Sequence, residues 1–386
     1  MVADSHAERY LRLGLELGRH VDDVVDSYFG PPELATAVNA ADPVDPALLA
    51  ASAQALLGEL DDAWLRDQVS ALHAFAEGLA GRTLPYADEV EACYLVRPPR
   101  TDEAAFAAVH ERVEARLPGA GTLADRYGAF RRSAFVPPER VGQVAADVIE
   151  AARACTRELV DLPDGEGVDL EIVHDVPWMG YCEYIGGLRS RISIKGDLPL
   201  SYIDLVRLVM HETYPGHHAE RCVKDQRLVR ERGVLEEAIV LLPTPQSVIA
   251  EGIASIAPSV LLDRAPGVFA DVAAAAGINM DFPRAVAVES ALEEAGWVEL
   301  NAAHMLYADG RGEDEVRAYF ERWGLMDADL SAHAVRFLRG ATTRAYVVCY
   351  PVGRALCAAY VGGDPARFRT LLSEHMRVGD LVAARG

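Results

Sequence analysis

A mainly helical protein with one small β element is the fold class that the sequence predicts, and three observations predict it. Through roughly the first 160 residues, apolar side chains recur at helical spacing and proline pairs punctuate them. Only Gly165 to Leu198 consists of short runs rich in β-branched and aromatic residues, with Gly and Asp between them. Helical patterning resumes at Ser201 and continues to the end.

The elements follow in order. Ala7 to Phe29 reads as one helix, stopped by Pro31-Pro32. Residues 45–80 read as a helical pair between Pro43 and Gly81. Residues 101–117 and 139–160 supply further helices, the second opened by Pro137-Pro138. The β runs are Glu171 to His174, Met179 to Gly187 and Ser190 to Ile194. This divides the chain into an N-terminal helical region, 1–160, and a region that carries the chemistry, 161–386, packed together as one globular unit.

Composition narrows the function. The 386 residues hold 37 Lys+Arg against 59 Asp+Glu, a formal net charge of −22. So acidic a surface repels phosphate backbones and anionic lipid, which excludes nucleic-acid and membrane-surface partners from the expected ones. Six cysteines without a CxxC pattern are expected to be reduced thiols. The first residues are charged and carry no apolar leader, so a cytoplasmic location is expected. The stretch Glu237–Leu262 comes nearest to a membrane span, and Pro243, Pro245 and Glu251 interrupt it.

The chemistry concentrates between Leu205 and Glu220. An apolar helical run leads into His211-Glu212, and His217 and His218 follow. Histidines on a helix with a Glu beside the first are the equipment of a zinc hydrolase: the imidazoles hold the metal, and the Glu acts as base on the water it activates. The spacing is not that of HExxH. On an unbroken helix, residues at i and i+4 lie about 40° and 6 Å apart, which suits one ion. His217, at i+6, would face elsewhere; His218, at i+7, returns to the same face about 10.5 Å along. Pro215-Gly216 alters this, because proline removes a helical hydrogen bond and glycine permits a bulge. If two residues loop out there, His217 falls where i+4 would stand. The favoured ligands are therefore His211 and His217, with His218 the alternate. Glu251, alone in an apolar helical run, is the best third ligand, because a buried carboxylate needs a partner or a metal. Glu220 could instead orient a histidine, and Glu236 and Glu237 are weaker rivals.

The string His211-Glu-Thr-Tyr-Pro-Gly-His-His218, followed by Glu251-Gly-Ile-Ala254, resembles the DUF885 family of bacterial proteins, whose pattern is H-E-x-x-P-G-H-H with a later E-G-W-A. Met305 to Phe320 and Tyr350-Pro-Val-Gly353 are similar to later stretches of that family, so the resemblance spans roughly residues 165–360. It implies a zincin-like helical metallopeptidase architecture, with the small β element next to the metal-binding helix. The sequence departs from the family at Ile253, where Trp is usual, at Asn301, near a usual acidic residue, and before Tyr350, where P-G-Q is absent. The chain is also short for the family.

Roles follow. Glu212 would be the general base and acid, Tyr350 an oxyanion donor, and His304 a second donor or substrate contact. One of Arg336, Arg339, Arg344 and Arg354 would clamp a substrate carboxylate. Ser190 to Ile194 would form an edge strand lining the cleft and pair with an extended peptide, with Gly186-Gly187 allowing close backbone approach. The function expected is a zinc-dependent hydrolase of peptide or amide bonds in small peptide-like substrates. The alternatives are a family member recruited to a non-peptidase step in a biosynthetic pathway and a metal-binding protein without hydrolytic activity.

Overall fold

The structure, a computed structural model, describes residues 5–176 and 178–384. Residues 1–4, part of the stretch in which no leader is expected, lie outside the described residues. The fold is mainly α-helical, with two small sheets among the described residues.

The helix His6–Leu17 opens with a reciprocal cap between Ser5 and Glu8. It buries Tyr10, Leu11, Leu13 and Leu17 against the helices Pro46–Leu57 and Ala63–Leu79. It does not run on to Phe29 as expected. Gly18 ends it, Asp23 turns the chain at φ 67°, and the β-branched pair Val24-Val25 leads into strand β1, Val25–Tyr28. β1 pairs antiparallel with β5, Ile239–Leu241, so Tyr28 stands opposite Ile239. Ile239 and Leu241 pack into the same core as Tyr10 and Trp64. The two sequence regions therefore share a core.

The second sheet holds β2 (Gly167–Val173), β3 (Gly180–Gly186) and β4 (Arg189–Lys195) in the order β2-β4-β3, with β2 parallel and β3 antiparallel to β4. The expectation of an edge strand at 190–194 is corrected here. β4 is central, paired on both sides, and Ile192 and Ile194 are fully buried. The physical reason is a partner on each side: β2 pairs with β4 in parallel, and Gly186-Gly187 serve the hairpin that supplies β3. Gly187 and Leu188 both have positive φ, as a tight two-residue turn requires, and this folds β4 back along β3. The peptide-pairing argument for 190–194 falls with that placement.

The helix Pro245–Leu262 is 18 residues long and apolar enough to cross a membrane by length and composition, yet 83% of it is buried inside the protein. It is the central core helix, and it packs along the helix Cys349–Val361. The two cross at glycines. A Cβ added to Gly252 would stand 2.5 Å from Cys357 Sγ and from the carbonyl oxygen of Gly353. One at Gly353 would stand 3.1 Å from Gly252 Cα. That contact sets Glu251 on one helix beside Tyr350 on the other, which gives the Glu-Gly and Tyr-x-x-Gly pairings a packing cause.

Gly252→Ala should cost about 1–3 kcal/mol of unfolding free energy, the usual penalty for overpacking a core. Gly78→Ala, at a helical site where a Cβ meets nothing within 4 Å, should cost none. Denaturant melts of the two variants check this.

Candidate metal centre

The helix Tyr202–Glu212 is started by a capping box between Ser201 and Asp204 and buries Ile203, Val206, Val209 and Met210. It stops at Glu212. Thr213 leaves helical geometry at φ −117°, ψ −93°, the Tyr214–Pro215 bond is cis, and a second helix, His217–Lys224, begins after Gly216. Gly216 N–H donates to the Met210 carbonyl and Ala219 N–H to the Thr213 carbonyl, both at 3.1 Å. Each bond spans six residues where an α-helix spans four, so two residues are extruded. Only glycine fits at 216, because a Cβ there would meet the backbone carbonyls of His211 and Met210.

The extrusion carries His217 to His211. Their rings stand perpendicular, with centroids 4.8 Å apart. Glu251 reaches both: Oε2 is 3.3 Å from His211 Nε2 and Oε1 is 3.5 Å from His217 Nε2. One ligand atom from each residue can be chosen so that all lie within 4.8 Å of one another. Two ligands of one tetrahedral zinc, on arms of about 2.1 Å, stand about 3.4 Å apart. Glu251 Oε2 and His217 Nδ1 are buried and have no hydrogen-bond partner among the described residues. Two imidazoles and a carboxylate at these spacings, with a buried oxygen left unbonded, fit a zinc ion. Burial pushes the Glu251 carboxyl up, but His217 and His211 outweigh it and hold the group below the usual carboxylate range.

Tyr346, on the short helix Thr343–Tyr346, donates its hydroxyl to Glu251 Oε1. Tyr350 lies alongside His211, with ring centroids 6.3 Å apart and planes at 29°. Burial, then Glu251, Glu212 and Glu299, push its phenol well above the ordinary value. It is therefore a donor. Glu212 and Tyr350 both line a cleft of about 580 Å³ that His211 also reaches. Burial raises the Glu212 carboxyl to about 7; His211 opposes the rise, while Glu251 and Asp26 add to it. Among the described residues no ion pair ties Glu212 down. It faces Gly180 of β3, where a Cβ would stand 2.8 Å from Glu212 Oε1. β3, and not β4, is thus the strand beside the site.

Two expected site residues lie elsewhere. His218 points away from the cluster: Nδ1 is 2.8 Å from Ser190 Oγ and Nε2 is 3.2 Å from Glu166 Oε2. The extrusion turns it to the opposite face, which removes it as the alternate ligand. His304 is buried with Nε2 3.1 Å from the Pro98 carbonyl oxygen, and it packs edge-on against Tyr86. It does not line the cleft, so it is a satisfied core histidine and not a catalytic group. Glu220 accepts from Lys224 Nζ at 2.7 Å, and Glu237 bonds His375 at 2.8 Å; neither orients a ligand histidine. Of the four arginines, Arg344 is engaged by Glu89 and Arg339 by Glu313, and only Arg354 lines the cleft.

Sequence reasoning missed Tyr346 as a partner of Glu251, although it stands four residues before Tyr350. It also missed Asp26 of β1, which acts on Glu212 and whose own carboxyl is raised by burial against the opposing pull of Arg221 and His217. No local signal marks Asp26, because only the β1–β5 pairing brings it there.

Ser190, His218 and Glu166 have the connectivity of a nucleophile, base and acid. Their burial excludes that use: the side chains of His218 and Glu166 are wholly inaccessible and Ser190 is fully buried. They tie β4 to the helix His217–Lys224. Burial works to raise the Glu166 carboxyl, but bonds from His218, Tyr214 and Arg153 bring it down to about 2. A carboxylate with a depressed folded-state pKa stabilises fully above its unfolded value near 4.5 and loses that contribution as pH falls toward about 2. Glu166→Gln should therefore cost about 1–3 kcal/mol at pH 7 and flatten the loss of stability between pH 4.5 and 2. Urea melts across that range check it.

No family model matches the chain, and no curated protein matches it either. Two solved structures are similar in fold. One, a "putative lipoprotein" from Colwellia psychrerythraea, superposes with a TM-score of 0.56 at 17% identity, over 92% of this chain and 62% of that one. The other, a "putative lipoprotein of unknown function" from Shewanella oneidensis, gives 0.52 at 10% identity, over 91% of this chain and 75% of that one. The chain thus spans less than two thirds of the length of the Colwellia protein. The expectation of a cytoplasmic location is corrected at this point, because the description of both neighbours as lipoproteins is at odds with it. At these identities the similarity establishes the fold, a helical architecture shared over nine tenths of this chain.

Proposed function

We propose that the protein is a zinc-dependent hydrolase that cleaves peptide or amide bonds in small peptide-like substrates. The observation that carries the reading is the convergence of His211, His217 and Glu251 within 4.8 Å, with Glu212 beside His211 on the wall of a cleft. Zinc bound there supplies Lewis acidity, polarising a carbonyl and making water a nucleophile near neutral pH.

The chain's own residues do the rest. Glu212 takes a proton from the attacking water and passes it to the leaving amine. Tyr350, kept protonated, donates a hydrogen bond to the oxygen on which charge develops. Tyr346 fixes the orientation of Glu251. A cleft of about 580 Å³, with apolar wall residues such as Trp178, Met326 and Phe337, suits a substrate of a few residues.

Isosteric changes at the two carboxylates test this. Glu212→Gln should retain zinc on elemental analysis and lower turnover of a mixed peptide pool by about 10²–10⁴. Glu251→Gln should lose zinc affinity, because an amide is a poorer ligand than a carboxylate. Zinc-loaded wild-type protein that leaves every peptide intact would favour metal binding without hydrolysis. Hydrolysis undiminished in Glu212→Gln would remove the mechanism.

A further inference from the structure

The cleft has a second chemical feature. Three arginines line it: Arg131, Arg207 and Arg354. Arg131 is matched by Asp204, with Nη2 2.8 Å from Oδ2. Arg207 and Arg354 share one carboxylate, each pairing with a different oxygen of Glu293. Two cations on one anion leave a positive charge that Glu293 alone does not compensate, in a largely desolvated wall. Glu289 and Asp204 also act on Arg207, but burial pushes Glu289 up to about 7, as it does Glu299 in the cleft, and Asp204 is held by Arg131, so these acids offset only part of it. The strain registers on the arginines themselves. Burial, then the neighbouring Arg207, lowers the Arg354 guanidinium to about 10, and Arg354 Nε is buried without a hydrogen-bond partner.

Placement gives this charge a use. Arg207 stands one helical turn before His211, and Arg354 one turn after Tyr350, so both are about 6 Å along their helices from the reacting groups. An extended peptide advances about 3.3–3.5 Å per residue. A group one or two residues beyond the scissile bond therefore reaches the arginines. A guanidinium fork takes a carboxylate through two parallel hydrogen bonds.

We infer that Arg354 and Arg207, held in place by Glu293, form a subsite for the free terminal carboxylate of the substrate, so that cleavage removes the last one or two residues of a small peptide or acyl-amino acid. Hydrolysis adds water across the amide C–N bond, leaving a new carboxylate on the acyl part and a free amino group on the released part. The cleavage step rests on the hydrolase reading; the carboxylate subsite does not. A chain continuing past the subsite, or one capped as an amide, leaves the positive charge unpaired and is disfavoured.

The test is isothermal titration of the metal-free protein, in which zinc cannot itself capture the probe. N-acetylalanyl-phenylalanine is compared with its carboxamide, which differs only in the terminal charge. The acid should bind at least about tenfold more tightly, the scale of one charge-assisted hydrogen-bonded pair. That advantage should vanish in Arg354→Gln, with its melting temperature recorded alongside. Equal binding of acid and amide by the wild type, or binding of neither, overturns the subsite whatever the variant does. With zinc-loaded protein, equal kcat/KM on acid and amide would also overturn it while leaving the hydrolase reading intact. Acid-selective binding without cleavage of any peptide would keep the subsite and sink the hydrolase.

Discussion

A carboxylate in the middle of an apolar core helix has to be compensated, and the arrangement around Glu251 depends on that constraint. Ordinary helix packing could have covered this position with an apolar side chain at no electrostatic cost. Instead two imidazoles and a phenol are brought to it from three separate segments. Each approach has its own structural device. The extruded pair of residues before His217 turns that ring toward His211. The glycine contact between Gly252 and Gly353 lets the helix that carries Tyr350 lie close. Because the histidines lower the carboxyl more than burial raises it, the group is anionic in the folded protein. An anion, two imidazoles and an unbonded buried oxygen fit a divalent cation as a donor set.

The same geometry separates two chemistries that the sequence runs together. His217 and His218 are neighbours, yet one faces His211 and Glu251 and the other a closed polar pocket with Ser190 and Glu166. The first set is positioned to act on a ligand. The second is sealed, and its bonds hold the central strand to the helix that presents His217. The candidate site therefore sits on a rigid backing, with Glu212 and Tyr350 facing a cleft.

Much of this was legible in the residues. Helical periodicity pointed to a mainly helical fold, and the Pro-Gly interruption favoured His217 as the partner of His211, with His218 as the alternate. A lone acid in an apolar run pointed to Glu251 for reasons of solvation alone. What was not legible depended on pairings across the chain. The 190–194 strand has the composition of either an edge or a centre, and only the parallel partner at 167–173 makes it central. Val25–Tyr28 reads as the continuation of a helix until Ile239–Leu241 is placed beside it. Asp26 and Tyr346 reach the site through such contacts, and the lone histidine at 304 could be recognised as a core residue only once the Pro98 carbonyl stood next to it. The likeness to lipoproteins of solved structure lies in the fold, at identities too low for any local sequence feature to have signalled it.

The central claim is that two histidines and one glutamate hold a single zinc ion, with Glu212 outside the ligand set. X-ray absorption at the zinc edge of the purified protein tests it most directly. The account predicts one zinc per chain, bound by two imidazole nitrogens and light oxygen donors at about 2.0–2.2 Å, without sulfur, and a spectrum unchanged in Glu212→Gln. Sulfur in the first coordination sphere, a single imidazole, or no zinc uptake at all would contradict it.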